Sequence, residues 1–249
     1  MQIVIIGSGN VAYHLARALV ENKLLPVQIF GRNERELRYI SEELNIPYST
    51  KNLVDSDIYL ICVSDHAVED VSKIITKKNC LVAHTSGSLP MEVLKGEYRK
   101  ASFYPLQTFS RSKVLNYSKI PFFIEAEDEK DMSILSELAA RVSKNVMEST
   151  YEKRKYIHLT AVFTCNFVNH LFSRAKEISD SQEIPFDYFL PLIDETVQKI
   201  HEIEPKSAQT GPAVRNDRRI LKLHEQLLTD ESLEIYKTMN HSIQKMYEL

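Results

Sequence analysis

The sequence predicts an α/β fold in which a doubly wound, mostly parallel sheet occupies residues 1–150 and an all-helical domain occupies residues 151–249. Up to about residue 150, short apolar runs typical of buried strands alternate with helical patterns, as βαβ units require. Beyond that point the pattern is helical, with no convincing strand. A chain of 249 residues is long enough for two domains that each bury a core.

The first element is an apolar strand at residues 3–6 that runs directly into a glycine-containing turn and a helix. Gly7 lets the chain leave the strand, and Gly9 removes a side chain where a pyrophosphate would approach the backbone. The helix N-terminus adds free N–H groups and a positive dipole. The pattern predicts a Rossmann-type dinucleotide site at Gly7, Ser8, Gly9, Asn10 and Val11. A purely structural turn is the alternative.

The residues after the second predicted strand, 27–30, indicate which dinucleotide is bound. A site for NAD usually has Asp or Glu there for the ribose 2′-hydroxyl, but this chain has Gly31, Arg32 and Asn33. A guanidinium can hold a 2′-phosphate by charge-assisted hydrogen bonds. We therefore predict NADP as the cofactor, bound by Arg32 and Asn33. A solvated loop arginine is the alternative.

Polar side chains also follow two later strands, predicted at residues 58–63 and 80–84. The carboxyl ends of parallel strands form the ligand crevice in this fold class. Val63 and Ser64 are thus expected beside the cofactor, with His84 contacting substrate and Ser86 taking part in catalysis. A buried strand-end histidine and a helix cap are the alternatives for the last two.

The helical half contains two further candidate groups. His158 and Asn166 share one face of a long helix predicted over residues 152–179, so His158 is a candidate proton donor and Asn166 a candidate for orienting substrate. Thr210 begins a Thr-Gly-Pro loop that leads to Arg215, which could hold a substrate carboxylate or phosphate. Core packing for the helix face and ordinary capping for the loop are the alternatives.

Composition limits the other function classes. The formal net charge is −3, which gives no electrostatic reason to expect nucleic acid or an anionic membrane as a partner. No apolar run has membrane-spanning length. The three cysteines are far apart in apolar runs, which favours a reducing compartment and argues against a metal site. We expect a cytoplasmic protein.

Five motifs in order resemble those of Rossmann-like proteins that have a C-terminal domain of unknown function and are described as NADP oxidoreductases. The motifs span nearly the whole chain: residues 7–12, 84–88, 104–109, 161–166, and 210–217. The family is more distantly similar to pyrroline-5-carboxylate and ketopantoate reductases. The resemblance implies an NADP-binding, dimeric protein with its site between two domains. Relatives are expected to have His where this chain has Tyr104, so Tyr104 is a second candidate proton donor.

These observations predict an oxidoreductase that transfers hydride between NADPH and a small carbonyl or imine bound between the two domains. A non-catalytic NADP-binding regulatory or scaffold protein is the alternative. A transferase using adenosylmethionine is weaker, because it would normally want an acidic residue after the second strand. Apolar positions on the C-terminal helices, such as Phe189, Leu192 and Ile193, exceed what a small helical cluster needs to bury, so a homodimer is expected.

Overall fold

The computed structural model describes the chain from Met1 to Leu249. It divides into two compact units, Met1–Asn166 and Phe167–Leu249. The boundary predicted at residue 150 marks the end of the strands. The first unit extends further because Arg154 and His158, on the helix that follows, form hydrogen bonds with the sheet.

The first unit contains one eight-stranded sheet in the order β3-β2-β1-β4-β5-β6-β7-β8. All neighbouring strands are parallel except β6 and β7. The strands are β1 (Ile3–Ile6), β2 (Gln28–Phe30), β3 (Tyr48–Ser49), β4 (Ile58–Ile61), β5 (Leu81–His84), β6 (Arg99–Pro105), β7 (Phe122–Ala126) and β8 (Val146–Glu148). The strand order reverses between β1 and β4, which is where ligands bind in doubly wound sheets. The predicted fold class is confirmed.

Helices cover both faces of this sheet. They are α1 (Asn10–Glu21), α2 (Glu34–Leu44), α3 (Asp65–Ser72), α4 (Glu129–Val142) and α5 (Tyr151–Ala161). Successive side chains of β1 alternate between two cores, because strand residues point to opposite faces. Ile3 and Ile5 pack with α1, α2 and α4, whereas Val4 and Ile6 pack with Val68 of α3.

The second unit is helical. Its elements are α6 (Val168–Ser181), α7 (Leu190–Glu202), α8 (Pro205–Ala208), α9 (Arg218–Gln226) and α10 (Asp230–Met246). Only Ser179, Ala213 and Leu221 are buried in this unit. None of the protein's helices combines the length and apolar composition needed to cross a membrane.

One local prediction needs correction. The helix predicted over residues 152–179 is not uniformly α-helical, because residues Val162–Phe167 form a π-helical segment between α5 and α6. The wider turn changes the angle between successive residues, so α-helical offsets from His158 do not extend beyond Ala161. Pro105 is the last residue of β6 and pairs with Phe122. Pairing of β6 with β5 already ends at Ser102, so proline is tolerated at this strand end.

Candidate active site

A crevice of about 740 Å³ lies at the carboxyl ends of β1, β2 and β4. Most of the predicted cofactor residues line it: Gly7, Ser8, Gly9, Arg32, Asn33, Val63 and Ser64. Ala67, Val71 and Ile74, from α3 and the turn after it, add an apolar wall. The crevice thus has a polar turn at its base and an apolar side.

The glycine turn has the geometry that a phosphate cradle requires. Gly7 adopts φ +138°, and a Cβ there would lie 2.2 Å from the carbonyl oxygen of Cys62, so only glycine fits. A Cβ at Gly9 would meet no atom within 4 Å. Gly9 is also the N-cap of α1 and provides no side-chain cap. The first N–H groups of α1 therefore remain available to an anionic ligand.

Asn10 and Val11 do not line the crevice. The Asn10 side chain donates a hydrogen bond to the Phe109 carbonyl oxygen over 2.9 Å, and Val11 packs against the larger core. The side chain of Asn10 is therefore committed to the protein. Contact of Asn10 and Val11 with cofactor through their backbone stays a prediction.

Arg32 is exposed, lines the crevice, and forms no hydrogen bond or ion pair within the protein. Asn33 is the N-cap of α2, and its side-chain oxygen accepts a hydrogen bond from the Glu36 N–H at 3.3 Å. No carboxylate follows β2 directly. An uncommitted guanidinium beside a glycine turn fits a 2′-phosphorylated dinucleotide.

Ser64 precedes α3, but its hydroxyl makes no cap bond. Its Oγ instead lies 3.3 Å from Nε2 of His66. The hydroxyl remains on the crevice wall, next to Val63.

Tyr104 and His158 form the most chemically suggestive pair in the first unit. The Tyr104 hydroxyl, at the end of β6, lies 3.1 Å from Nδ1 of His158 on α5. Burial raises the pKa of Tyr104 to about 12; the nearby Asp65 charge adds to this and that of Arg154 opposes it. The phenol is therefore protonated at neutral pH. The two predicted proton donors are brought together at the carboxyl end of β6, the same edge of the sheet at which the crevice lies.

Gly87 is the close neighbour of this pair. A Cβ at Gly87 would lie 2.7 Å from Cζ of Tyr104 and 2.8 Å from Nδ1 of His158. No larger residue fits without moving one of the two rings. The turn after β5 thus contributes its backbone surface to the Tyr104–His158 pair.

His84 and Ser86 are both buried at the end of β5. Nδ1 of His84 accepts a hydrogen bond from the Ser86 N–H at 3.2 Å, and Ser86 Oγ accepts one from the Ser88 N–H at 3.0 Å. Burial, with the charge of Arg154, lowers the pKa of His84 to about 3, although the Pro90 carbonyl opposes the shift. His84 is therefore neutral, supports the backbone of Ser86 and presents no surface to a substrate.

The remaining predicted residues are exposed. Asn166 lies in the π-helical segment, and its side chain forms no hydrogen bond. Thr210 precedes Gly211, whose φ is +111°. Arg215 forms no ion pair or hydrogen bond. The side chain of Asp217 caps α9 by accepting a hydrogen bond from the Ile220 N–H at 3.2 Å.

Two arginines were not recognised in the sequence. Arg154 is fully buried and donates hydrogen bonds to Glu125 and to the Leu89 carbonyl oxygen. Arg111 donates to Glu36 and to the Ser8 carbonyl oxygen. Arg154 precedes His158 by one helical turn, so the sequence could have placed both side chains on the same face of the predicted helix. Nothing in the sequence indicated that Arg111 reaches the glycine turn.

Family models match two parts of the chain. Residues 2–85 match the model described as NADP oxidoreductase, coenzyme F420-dependent, and residues 120–243 match the domain of unknown function DUF2520. The predicted cofactor class, NADP, is thereby confirmed at the level of the family. No curated protein matches the chain.

Solved structures give the same relationship. A Bacteroides fragilis protein provisionally described as an NADP oxidoreductase is 38% identical, with a TM-score of 0.93, over 100% of this chain and 98% of that one. A Streptococcus pyogenes pyrroline-5-carboxylate reductase is 15% identical, with a TM-score of 0.64, over 100% and 99% of the two chains.

A third similar structure is an Aspergillus terreus reductive aminase in complex with NADPH and ethyl-5-oxohexanoate. It is 11% identical, with a TM-score of 0.70, over 98% of this chain and 94% of that one. At such identities the last two structures show a shared fold only. The Bacteroides match extends the relationship to the whole sequence, and it confirms the resemblance identified from the five motifs. The chain belongs to the family that joins an N-terminal NADP oxidoreductase domain to the C-terminal domain DUF2520.

Proposed function

We propose that this protein is an NADPH-dependent reductase of a small carbonyl or imine compound. The observation that carries the proposal is the Tyr104–His158 hydrogen bond, which lies at the same edge of the sheet as a crevice that fits a 2′-phosphorylated dinucleotide. Polar hydrogen-bonded groups at this edge of a doubly wound sheet are typical of a reaction centre. Two structures of the same fold support the reaction class: one is described as a reductive aminase in complex with NADPH, and the other as a 1-pyrroline-5-carboxylate reductase.

The crevice residues have separate roles in this proposal. The N–H groups at the start of α1 hold the pyrophosphate, and Gly9 leaves the space it needs. Arg32, aided by Asn33, holds the 2′-phosphate. Val63 and Ser64 lie along the ribose and nicotinamide. When bound, the cofactor supplies a hydride to the substrate carbon.

The protein supplies the proton that reduction also requires. One proton must reach the carbonyl oxygen or imine nitrogen as the carbon receives hydride. Tyr104 holds a proton at neutral pH because its pKa is raised to about 12. The hydrogen bond between Tyr104 and His158 lets one group donate while the other replaces the proton or orients it. Ser86 and Asn166 are proposed to orient the substrate, and Thr210 and Arg215 to bind its polar end. Because His84 is buried, the structure does not support its predicted direct contact with the substrate.

The proposal includes a homodimer. Large apolar side chains of the second unit remain exposed: Tyr188, Leu192, Val197, Ile200, Leu223 and Leu227. With three buried residues, this unit leaves more apolar surface open than a monomer normally does. A second copy would cover such a surface through a self-complementary contact. Light scattering that shows a monomer at micromolar concentration would contradict this. The free cysteines Cys62, Cys80 and Cys165 support a reducing, cytoplasmic location.

The first experiment is a calorimetric titration of NADPH and NADH into the wild type, Arg32→Ala and Arg35→Ala. Arg35 is a matched control, because it is exposed nearby but does not line the crevice. We expect NADPH to bind more tightly than NADH, and Arg32→Ala to weaken NADPH by about 10-fold or more. Arg35→Ala should change neither affinity appreciably.

A screen of small ketones, aldehydes and cyclic imines for NADPH consumption then tests the reaction. Consumption that depends on substrate supports the reductase. Failure of both nucleotides to bind would contradict the cofactor site. Tight NADPH binding without consumption across the screen would favour the non-catalytic regulatory or scaffold protein.

A further inference from the structure

We propose that Arg111 determines the preference for NADPH, by neutralising Glu36 beside the phosphate-binding turn. The inference rests on the proposed binding of NADPH in the crevice. It adds a specificity residue that lies outside the crevice and outside the residues following β2.

Arg111 bridges two elements that meet at the crevice. Its guanidinium donates a hydrogen bond to the Ser8 carbonyl oxygen over 2.8 Å and forms an ion pair with Glu36. Its central carbon lies 5.5 Å from the ring centre of Tyr13 and 5.2 Å from that of Tyr39. Two aromatic rings and two oxygen acceptors thus hold the cation in one place.

The segment that carries Arg111 is attached to α1 at two further points. Asn10 donates a hydrogen bond to the Phe109 carbonyl oxygen, and Nε2 of His14 lies 3.0 Å from that of Ser110. The segment therefore lies against the start of α1, and the position of Arg111 follows from that of the glycine turn.

The location of Glu36 makes its charge relevant to the cofactor. Glu36 lies in the first turn of α2, three residues after Asn33, and its carboxylate shares a cation with the Ser8 carbonyl. Arg111 thus links Glu36 to the glycine turn, and Asn33, three residues before Glu36, lines the crevice. An unneutralised carboxylate this close to both segments would repel the phosphates of a bound dinucleotide, and Arg111 cancels this charge. Because NADH lacks the 2′-phosphate, loss of Arg111 should affect NADPH more strongly.

Binding affinities of four variants test the proposal, measured by calorimetry with NADPH and NADH. Arg111→Met removes the cation, and Glu36→Gln removes the carboxylate. The double variant removes both, and Arg38→Met is the matched control. Arg38 lies on the same helix and pairs with Glu34 over 2.8 Å, away from the glycine turn.

We expect Arg111→Met to weaken NADPH by about 10-fold and NADH by less than about 3-fold, as a repulsion acting mainly on the 2′-phosphate requires. The double variant should recover most of the lost NADPH affinity. Glu36→Gln alone should bind NADPH at least as tightly as the wild type, which keeps the proposal testable if Arg111→Met does not fold. Arg38→Met should match the wild type.

Three results would overturn the inference. Equal losses for both nucleotides in Arg111→Met would show that Arg111 only holds the turn. Absence of recovery in the double variant, or weaker NADPH binding by Glu36→Gln, would show that the Glu36 charge does not oppose the 2′-phosphate. In each case wild-type preference for NADPH leaves the proposed function standing. If the wild type binds neither nucleotide, the proposed function and this inference both fail.

Discussion

The hydroxyl of Tyr104 lies 3.1 Å from Nδ1 of His158, and Gly87 leaves no space for a side chain between them and the turn after β5. The two groups come from elements far apart in sequence, a strand and the helix that follows the last strand. Their hydrogen bond is therefore a product of the tertiary fold, and it joins the two side chains that we propose as proton donors.

Substitution Tyr104→Phe tests the role of this proton. The variant keeps the ring, and so we expect little change in the free energy of unfolding or in NADPH affinity. The reduction rate, kcat, should fall by about 100-fold, which is within the range of losses for a general acid. Steady-state kinetics on the substrate found by the screen measures this. An unchanged kcat, with stability and NADPH binding intact, would exclude Tyr104 from proton transfer.

Alanine substitutions at Gly87 and Gly9 should affect different properties of the protein. A Cβ at Gly87 collides with Tyr104 and His158, so Gly87→Ala should lower the free energy of unfolding by about 1–3 kcal/mol and lower kcat. A Cβ at Gly9 meets no protein atom, so Gly9→Ala should leave folding intact but weaken NADPH binding. Urea unfolding and calorimetry distinguish the two. Equal NADPH affinity of Gly9→Ala and wild type would argue against pyrophosphate binding at this turn.

The ion pair between Arg154 and Glu125 should stabilise the fold only when both partners are present. Arg154 is fully buried, and Glu125 also accepts a hydrogen bond from the Tyr151 N–H at 2.9 Å. Arg154→Met leaves a carboxylate without its cation and should cost about 3–5 kcal/mol of the free energy of unfolding. Adding Glu125→Gln should restore part of that loss. A double variant no more stable than Arg154→Met would show that charge pairing is not the reason for the effect.

Stability should decrease with acidity because of His84. Its pKa is lowered from the ordinary value of 6.5 to about 3, so below pH 6.5 the unfolded chain binds a proton that the folded chain refuses. The contribution of His84 to stability is complete above pH 6.5. It decreases by up to about 1.4 kcal/mol per pH unit as the pH falls towards 3.

Urea unfolding at several pH values would measure this dependence in the wild type and in His84→Asn. The variant should show a shallower loss between pH 6.5 and 4, whatever its stability at neutral pH. Some slope should remain, because burial also lowers the pKa of His14. Identical slopes in the two proteins would contradict the assignment.

Local patterns were sufficient to predict the sheet and the cofactor class. The run from Ile3 through Gly9 contains its own strand, turn and helix start, and Asn33 caps α2 through a bond to a residue three positions away. Such features depend on neighbours in sequence, so the sequence carries them directly.

Long-range contacts could not be predicted in the same way. Glu125 as the partner of Arg154, Ser8 as that of Arg111, and the direct bond from Tyr104 to His158 all depend on how strands and helices are arranged. The π-helical segment was missed because its composition resembles that of an ordinary α-helix. The prediction that Asn166 shares a face with His158 assumed α-helical spacing throughout.

Pro105 at the end of β6 has a consequence for Tyr104. The ring of a proline clashes with the residue before it and confines that residue to extended backbone angles, even in the unfolded chain. Tyr104 thus loses less conformational entropy on folding than a tyrosine elsewhere would. The covalent structure of its neighbour therefore preorganises the backbone that carries the proposed proton donor, before any tertiary contact forms.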